Sequence, residues 1–153
     1  MKLKNIIDED FVNYKKPSMF LIFPNCTFKC GRDICQNISL IKEKNIEIST
    51  DKIIERYLNN PITKAVVCGG LEPMDSWDDL RDFIFQFRYF SKDDIVIYTG
   101  YEEDEIKDKI KWFKTFGPIV IKFGRYNPNY KNYYNEILGV KLVGKNQYAK
   151  RYE

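Results

Sequence analysis

With 153 residues, of which 44% are hydrophobic and 16% aromatic, the chain can form one packed domain, but not a complete eight-unit β/α barrel, which takes about 250 residues. Its formal net charge of +3 is too small to drive it onto nucleic acid, and the absence of histidine excludes a Ser-His-Asp triad, a Cys-His nucleophile pair, imidazole-ligated zinc and a histidine general base. No N-terminal run has the apolar length of a signal peptide and no later stretch reaches that of a membrane span. A reducing, cytoplasmic setting without membrane contact is therefore expected, in which structural disulfides do not form.

Residues 1–17 read as an N-terminal extension to a single domain spanning 1–153. The run Met19 to Phe23 is short, apolar and followed by Pro24, as a buried parallel strand should be. Asp51 to Asn59 reads as a helix with Ile53, Ile54, Tyr57 and Leu58 apolar, stopped by Asn60-Pro61. A second strand is expected over Ile62 to Cys68. The next helix starts at a Ser76-x-x-Asp79 capping signal and carries Leu80, Phe83, Ile84 and Phe87 on one stripe, so it should lie flat on a sheet. A third strand follows at Ile95 to Tyr98. In the third helix, Glu102 to Glu105 crowd the start and Lys107, Lys109, Lys111 and Lys114 follow, an order the helix dipole favours, with Ile106, Ile110 and Phe113 turned inward and the charges solvated. Ile119 to Lys122 is a fourth strand, and 124–153 forms a tail packing on the core, rich in tyrosines that suit either packing or an interface.

Strands alternating with helices imply an α/β fold with a mostly parallel sheet of about four to six strands, in which ligands sit at the carboxyl ends of the strands. That rule gathers four loops at one edge: Cys26 to Cys35 after the first strand, Cys68-Gly-Gly-Leu-Glu-Pro-Met74 after the second, Tyr98-Thr-Gly-Tyr101 after the third and Phe123-Gly-Arg-Tyr126 after the fourth. Three cysteines within ten residues, Cys26, Cys30 and Cys35, are the strongest chemical signal. Thiolates are soft ligands that select zinc, copper(I) or iron–sulfur clusters, and a four-iron cluster held by three of them keeps one open iron. Zinc, with Cys68 as a fourth ligand, is the rival; Cys68 read as a buried strand residue is the plainer alternative. The adjacent glycines Gly69 and Gly70 let backbone approach a ligand closely, Glu72 adds a carboxylate, and a side chain at either glycine, Gly70 above all, should weaken binding of the ligand.

The three-cysteine loop after the first strand, the Gly-Gly-Leu-Glu-Pro loop after the second, the Thr-Gly-Tyr after the third and the tail Gly139 to Tyr148 together resemble the radical S-adenosylmethionine superfamily. Within it they look like the activating proteins of anaerobic ribonucleotide reductase. Two features depart from the pattern: four residues separate Cys30 from Cys35 where the superfamily usually has two, and Leu71 is inserted between Gly70 and Glu72. The resemblance implies a partial, open β/α barrel with helices outside, a [4Fe-4S] cluster on Cys26, Cys30 and Cys35, and S-adenosylmethionine on its open iron. It further implies that Gly69, Gly70, Leu71 and Glu72 lie at the methionine end, Ile34 against the adenine, and Tyr98 and Thr99 beside the cofactor. The implied activity is installation of a glycyl radical on a partner, anaerobic ribonucleotide reductase in the matching branch, with electrons from an external donor such as a flavodoxin. The alternatives are another peptide or small-molecule substrate, or a non-catalytic iron–sulfur or zinc module.

Overall fold

Four strands rich in β-branched residues form the centre of the protein: β3 (Ser18–Phe23), β5 (Ala65–Gly70), β6 (Asp94–Tyr98) and β7 (Ile119–Phe123), all parallel to one another. They are almost wholly buried, which is why they read as near-continuous apolar runs rather than alternating ones. The computed structural model describes residues 1–27 and 37–153. Antiparallel strands close the two edges, β2 (Asn5–Asp10) beside β3 and β10 (Tyr148–Tyr152) beside β7, giving a six-stranded mixed sheet in the order β10-β7-β6-β5-β3-β2. The short pair β1 (Lys2–Leu3) and β4 (Ile46–Glu47) and the hairpin β8 (Asn132–Asn135) with β9 (Val140–Val143) complete the strands of the described residues, none of which close the sheet into a barrel. Among the described residues no helix is long and apolar enough to cross a membrane.

The described residues form three α-helices, α1 (Thr50–Leu58), α2 (Trp77–Phe87) and α3 (Lys107–Phe113). Each links consecutive parallel strands, and the strand order runs in one direction without reversal, so crossovers of one hand stack all three on one face. Ile53, Ile54, Leu80, Phe83, Ile84, Phe87, Ile110 and Phe113 pack there against Met19, Leu21, Val66, Cys68, Ile95, Ile97, Ile119 and Ile121. The stripe expected for α2 is fully buried. Ser76 stands at the cap of α2 but its side chain makes no capping bond; it accepts instead from the Asn25 amide at 3.0 Å. Leu58, expected with the apolar face of α1, is 47% exposed. The third helix opens as a 3-10 turn, Glu103–Ile106, in which the Glu105 carboxylate accepts the N–H of Glu102 at 2.8 Å.

The opposite face of the sheet has a different cover. Leu138, Leu142 and Tyr133 of the hairpin, with Tyr14 of the N-terminal segment, pack on Ala65, Val67, Val96, Val120 and Ala149, filling the half nearest the amino ends of the parallel strands. Tyr14 is buried and donates its hydroxyl to Asp94 at 2.8 Å, while Lys16 and Arg151 reach the same carboxylate at 2.7 and 2.9 Å. Burial alone would raise the Asp94 carboxyl, but the hydrogen bonds from Lys16, Arg151 and Tyr14 outweigh it and hold it below the ordinary range. Tyr14→Phe removes one bond to an ionised acceptor and should lower stability by about 1.5–3 kcal/mol, read as a shift of the urea midpoint at constant slope.

Candidate functional site

On the hairpin-covered face, the last inward-facing row at the carboxyl ends consists of Ile22 opposite Gly69 and Tyr98 opposite Lys122. This row is not covered by the hairpin and forms one wall of a cavity of about 460 Å³. Its other walls include Asn13, Cys26, Asn37, Leu71, Glu72, Thr99, Gly124, Tyr126 and Gln147. A volume of this size is ordinary for a small-molecule or cofactor site.

Of the residues singled out in the sequence, Cys26, Gly69, Gly70, Leu71, Glu72, Tyr98 and Thr99 all line this cavity. Cys30, Cys35 and Ile34 lie outside the described residues. Cys26 follows β3 and is half-buried at the rim. The strand limits differ from the sequence reading in one respect that matters: β5 begins at Ala65 rather than Ile62 and runs through Gly70, so the glycine pair ends a strand rather than opening a loop. Pairing with β3 continues to Phe23 opposite Gly70, and the apolar pattern stops two residues short of the true end because glycine carries no side chain to register.

The two glycines do different work. A Cβ on Gly69 would meet the Phe20 ring edge at 3.1 Å, so the missing side chain leaves room in the cavity wall between Ile22 and Tyr98. Gly70 has φ of +93°, and a Cβ there would stand 2.5 Å from Ile22 Cγ2 and 3.1 Å from the backbone of Phe23. Its requirement is therefore conformational and steric, and a bulky substitution there reports on folding before it reports on a ligand. Gly69 is the cleaner probe.

Glu72 is only 6% exposed. Its Oε1 accepts the Met74 N–H at 3.0 Å and its Oε2 the Gly100 N–H at 2.8 Å, so one carboxylate joins the loops after β5 and β6. Burial pushes the carboxyl up to about 7; the N–H groups of Gly100 and Met74 and the Thr99 hydroxyl reduce the effect without cancelling it. Because the folded pKa lies above the ordinary value of 4.5, the contribution to stability is fully present below 4.5 and is lost as pH rises through about 7. Measured by urea unfolding, the wild type should lose on the order of 3 kcal/mol relative to Glu72→Gln between pH 4.5 and pH 8, and parallel pH profiles of the two would contradict this.

Lys122 was not marked by the sequence as a site residue, although a lysine inside an otherwise apolar strand was the available signal. Its ammonium lies 5.7 Å from the centre of the Tyr98 ring and donates to the Gly124 carbonyl at 3.2 Å. The Tyr98 hydroxyl donates to the Asn13 carbonyl at 2.6 Å, which fixes the N-terminal segment as the cavity floor. Asn13 and Gln147 come from segments whose pairing has no local sequence signature. The tail tyrosines divide: Tyr126 lines the cavity, Tyr133 packs from the hairpin onto the sheet, Tyr148 packs against Phe123, and Tyr130 and Tyr134 are 49% and 60% exposed.

Cys68 is fully buried on the helix-covered face, in a row that alternates with Gly69, and burial pushes its thiol far above the ordinary range. A thiol that resists ionisation, buried on the side of the sheet away from Cys26, does not suit a fourth ligand. The donor that is placed at the cavity is a soft one, and it stands beside a glycine wall and a buried carboxylate. Cys26 supplies one soft donor of the kind a thiolate-held centre takes, and no group of three Cys, Asp or Glu side chains converges among the described residues.

Comparison with known proteins gives one family: the model described as 4Fe-4S single cluster domain matches residues 17–139, most of the chain. No curated protein and no solved structure matches it significantly.

Proposed function

Because this chain belongs to the 4Fe-4S single cluster domain family, we propose that it is a radical S-adenosylmethionine enzyme that installs a glycyl radical on a partner protein, with anaerobic ribonucleotide reductase as the foremost candidate. The observation that carries the reading is the convergence of Cys26, the Gly69–Gly70 strand end, Glu72, Tyr98 and Thr99 on one cavity at the carboxyl ends of the parallel strands. We take the open sheet with its helices on one face as a partial β/α barrel, and the chain as one domain.

Cys26, Cys30 and Cys35 would hold the cluster. Bound there, it would supply the electron that cleaves the sulfonium of S-adenosylmethionine into methionine and a 5′-deoxyadenosyl radical. The remaining work falls to the chain. Gly69 keeps the wall between Ile22 and Tyr98 low enough for a ligand to approach backbone, and Gly70 ends the strand in a conformation that other residues resist. Glu72 holds the Gly100 and Met74 amides, so the loops after β5 and β6 are fixed before any ligand arrives. The Phe20 ring, Ile22 and the Tyr98 ring exclude water from the inner wall, which a radical reaction requires. Tyr126 of the tyrosine-rich tail lines the same cavity and is half-buried, so the tail stands where a partner's loop would meet the site.

The reading is tested by combining anaerobically reconstituted protein, dithionite, S-adenosylmethionine and a co-encoded anaerobic reductase. A stable organic radical on the reductase in the electron paramagnetic resonance spectrum is expected. Cofactor cleavage with no radical on that protein would redirect the assignment to another peptide or small-molecule substrate.

A further inference from the structure

The cysteine loop leaves the sheet after Phe23, and among the described residues no strand pairs with Thr27, so side chains and isolated backbone bonds fix its entry. Asp75, in the 3-10 turn Pro73–Ser76, faces it. One carboxylate oxygen accepts the Thr27 N–H at 2.8 Å and the other accepts the Tyr101 hydroxyl at 2.6 Å. The same turn is tied to the residue before Cys26: the Glu72 N–H donates to the Asn25 carbonyl at 2.7 Å, and the Asn25 amide donates to Ser76 at 3.0 Å. At the other end of the loop, Asn37 donates to the Gly70 carbonyl at 2.8 Å.

We propose that Asp75 is a positioning residue for the metal-binding loop, acting through the Cys26–Thr27 peptide. The inference rests on the iron–sulfur reading above and adds a residue to it. The Thr27 N–H belongs to the peptide that Cys26 begins, so holding that N–H fixes ψ of Cys26 and with it the direction in which the thiolate leaves the chain. Tyr101 occupies the second oxygen and prevents the carboxylate from rotating away, and the Tyr101 carbonyl in turn accepts the Gly124 N–H at 3.2 Å. Asp75 therefore couples the ligand-bearing loop after β3 to the loops after β5, β6 and β7. Partners that orient a metal ligand in this way are worth roughly 10–100-fold in metal retention.

The test compares wild type, Asp75→Ala, Asp75→Asn and Tyr101→Phe after anaerobic iron–sulfide reconstitution. It reads the rate of iron loss to a ferrous chelator and the resonance spectrum of the reduced cluster, with circular dichroism of the apo-protein confirming the fold. Asp75→Ala should lose iron about tenfold faster or more and show an altered spectrum, whereas Asp75→Asn, which keeps an acceptor for Thr27, should stay close to wild type. Tyr101→Phe, which leaves the Thr27 bond in place but frees the carboxylate to rotate, should fall between them, and it serves as the deciding variant if Asp75→Ala does not fold. Iron loss and spectrum unchanged in both Asp75→Ala and Tyr101→Phe, or Asp75→Asn as impaired as Asp75→Ala, would overturn the inference. Failure of the wild type itself to take up iron would instead overturn the cluster reading on which it rests.

Discussion

Cys26→Ala should abolish iron–sulfur reconstitution, taking iron and sulfide from about four each per chain to background, while Cys68→Ala should keep both. The difference follows from position. Cys26 stands half-buried at the rim of the cavity, whereas Cys68 is sealed among Leu21, Val66 and the helix layer with a thiol that burial keeps protonated. Losing Cys68 costs packing alone, on the order of 1 kcal/mol in urea unfolding, because the change removes one buried sulfur. Cys30→Ala and Cys35→Ala are expected to behave like Cys26→Ala. Iron content measured beside far-ultraviolet circular dichroism separates loss of the centre from loss of the fold. A Cys68→Ala protein that takes up no iron would restore the rival four-ligand arrangement.

Gly70→Val should destabilise the protein by roughly 2–6 kcal/mol, a large part of the 5–15 kcal/mol typical of a domain. Two costs add. The φ of +93° is a conformation that a β-branched residue resists, and the new Cβ would stand 2.5 Å from Ile22 Cγ2 with backbone atoms of Ile22 and Phe23 at 3.1 Å. Backbone on a central parallel strand pair cannot yield as a side-chain tip can. For Gly69→Ala the atoms nearest the new Cβ are side-chain atoms, the Phe20 ring edge and the Tyr98 Cβ, so it should fold at little cost and instead weaken S-adenosylmethionine binding in calorimetry on reconstituted protein. An unchanged urea midpoint for Gly70→Val would contradict the conformational role.

The central strands and the stripes of the three helices were legible because burial on both faces writes a continuous apolar run, and burial on one face writes a 3.6-residue period. Phe83 and Ile84 show the second pattern without ambiguity. The edge strands β2 and β10 were not legible. Asn5 to Asp10 is mostly polar, and Tyr148 to Tyr152 carries Lys150 and Arg151, so neither has an apolar alternation to read; what makes them strands is the paired neighbour. Where chemistry is concentrated in rare residue types, as at Cys26 and the glycine pair, the sequence marked residues that line the cavity; Cys30 and Cys35 lie outside the described residues. The site was not legible at Asn13, Asp75, Lys122 and Gln147, whose importance comes from loops and strands that meet only after folding. Glu72 was marked as a nearby carboxylate, but its burial and its hold on two backbone amides required the structure.

The most direct measurement of the central claim is product analysis of S-adenosylmethionine incubated anaerobically with the reconstituted, dithionite-reduced protein. 5′-Deoxyadenosine and methionine are expected in equal amounts, absent in Cys26→Ala and retained in Cys68→Ala. A protein that carries a verified, reducible [4Fe-4S] cluster and forms no 5′-deoxyadenosine would contradict the claim, leaving an iron–sulfur module without radical chemistry.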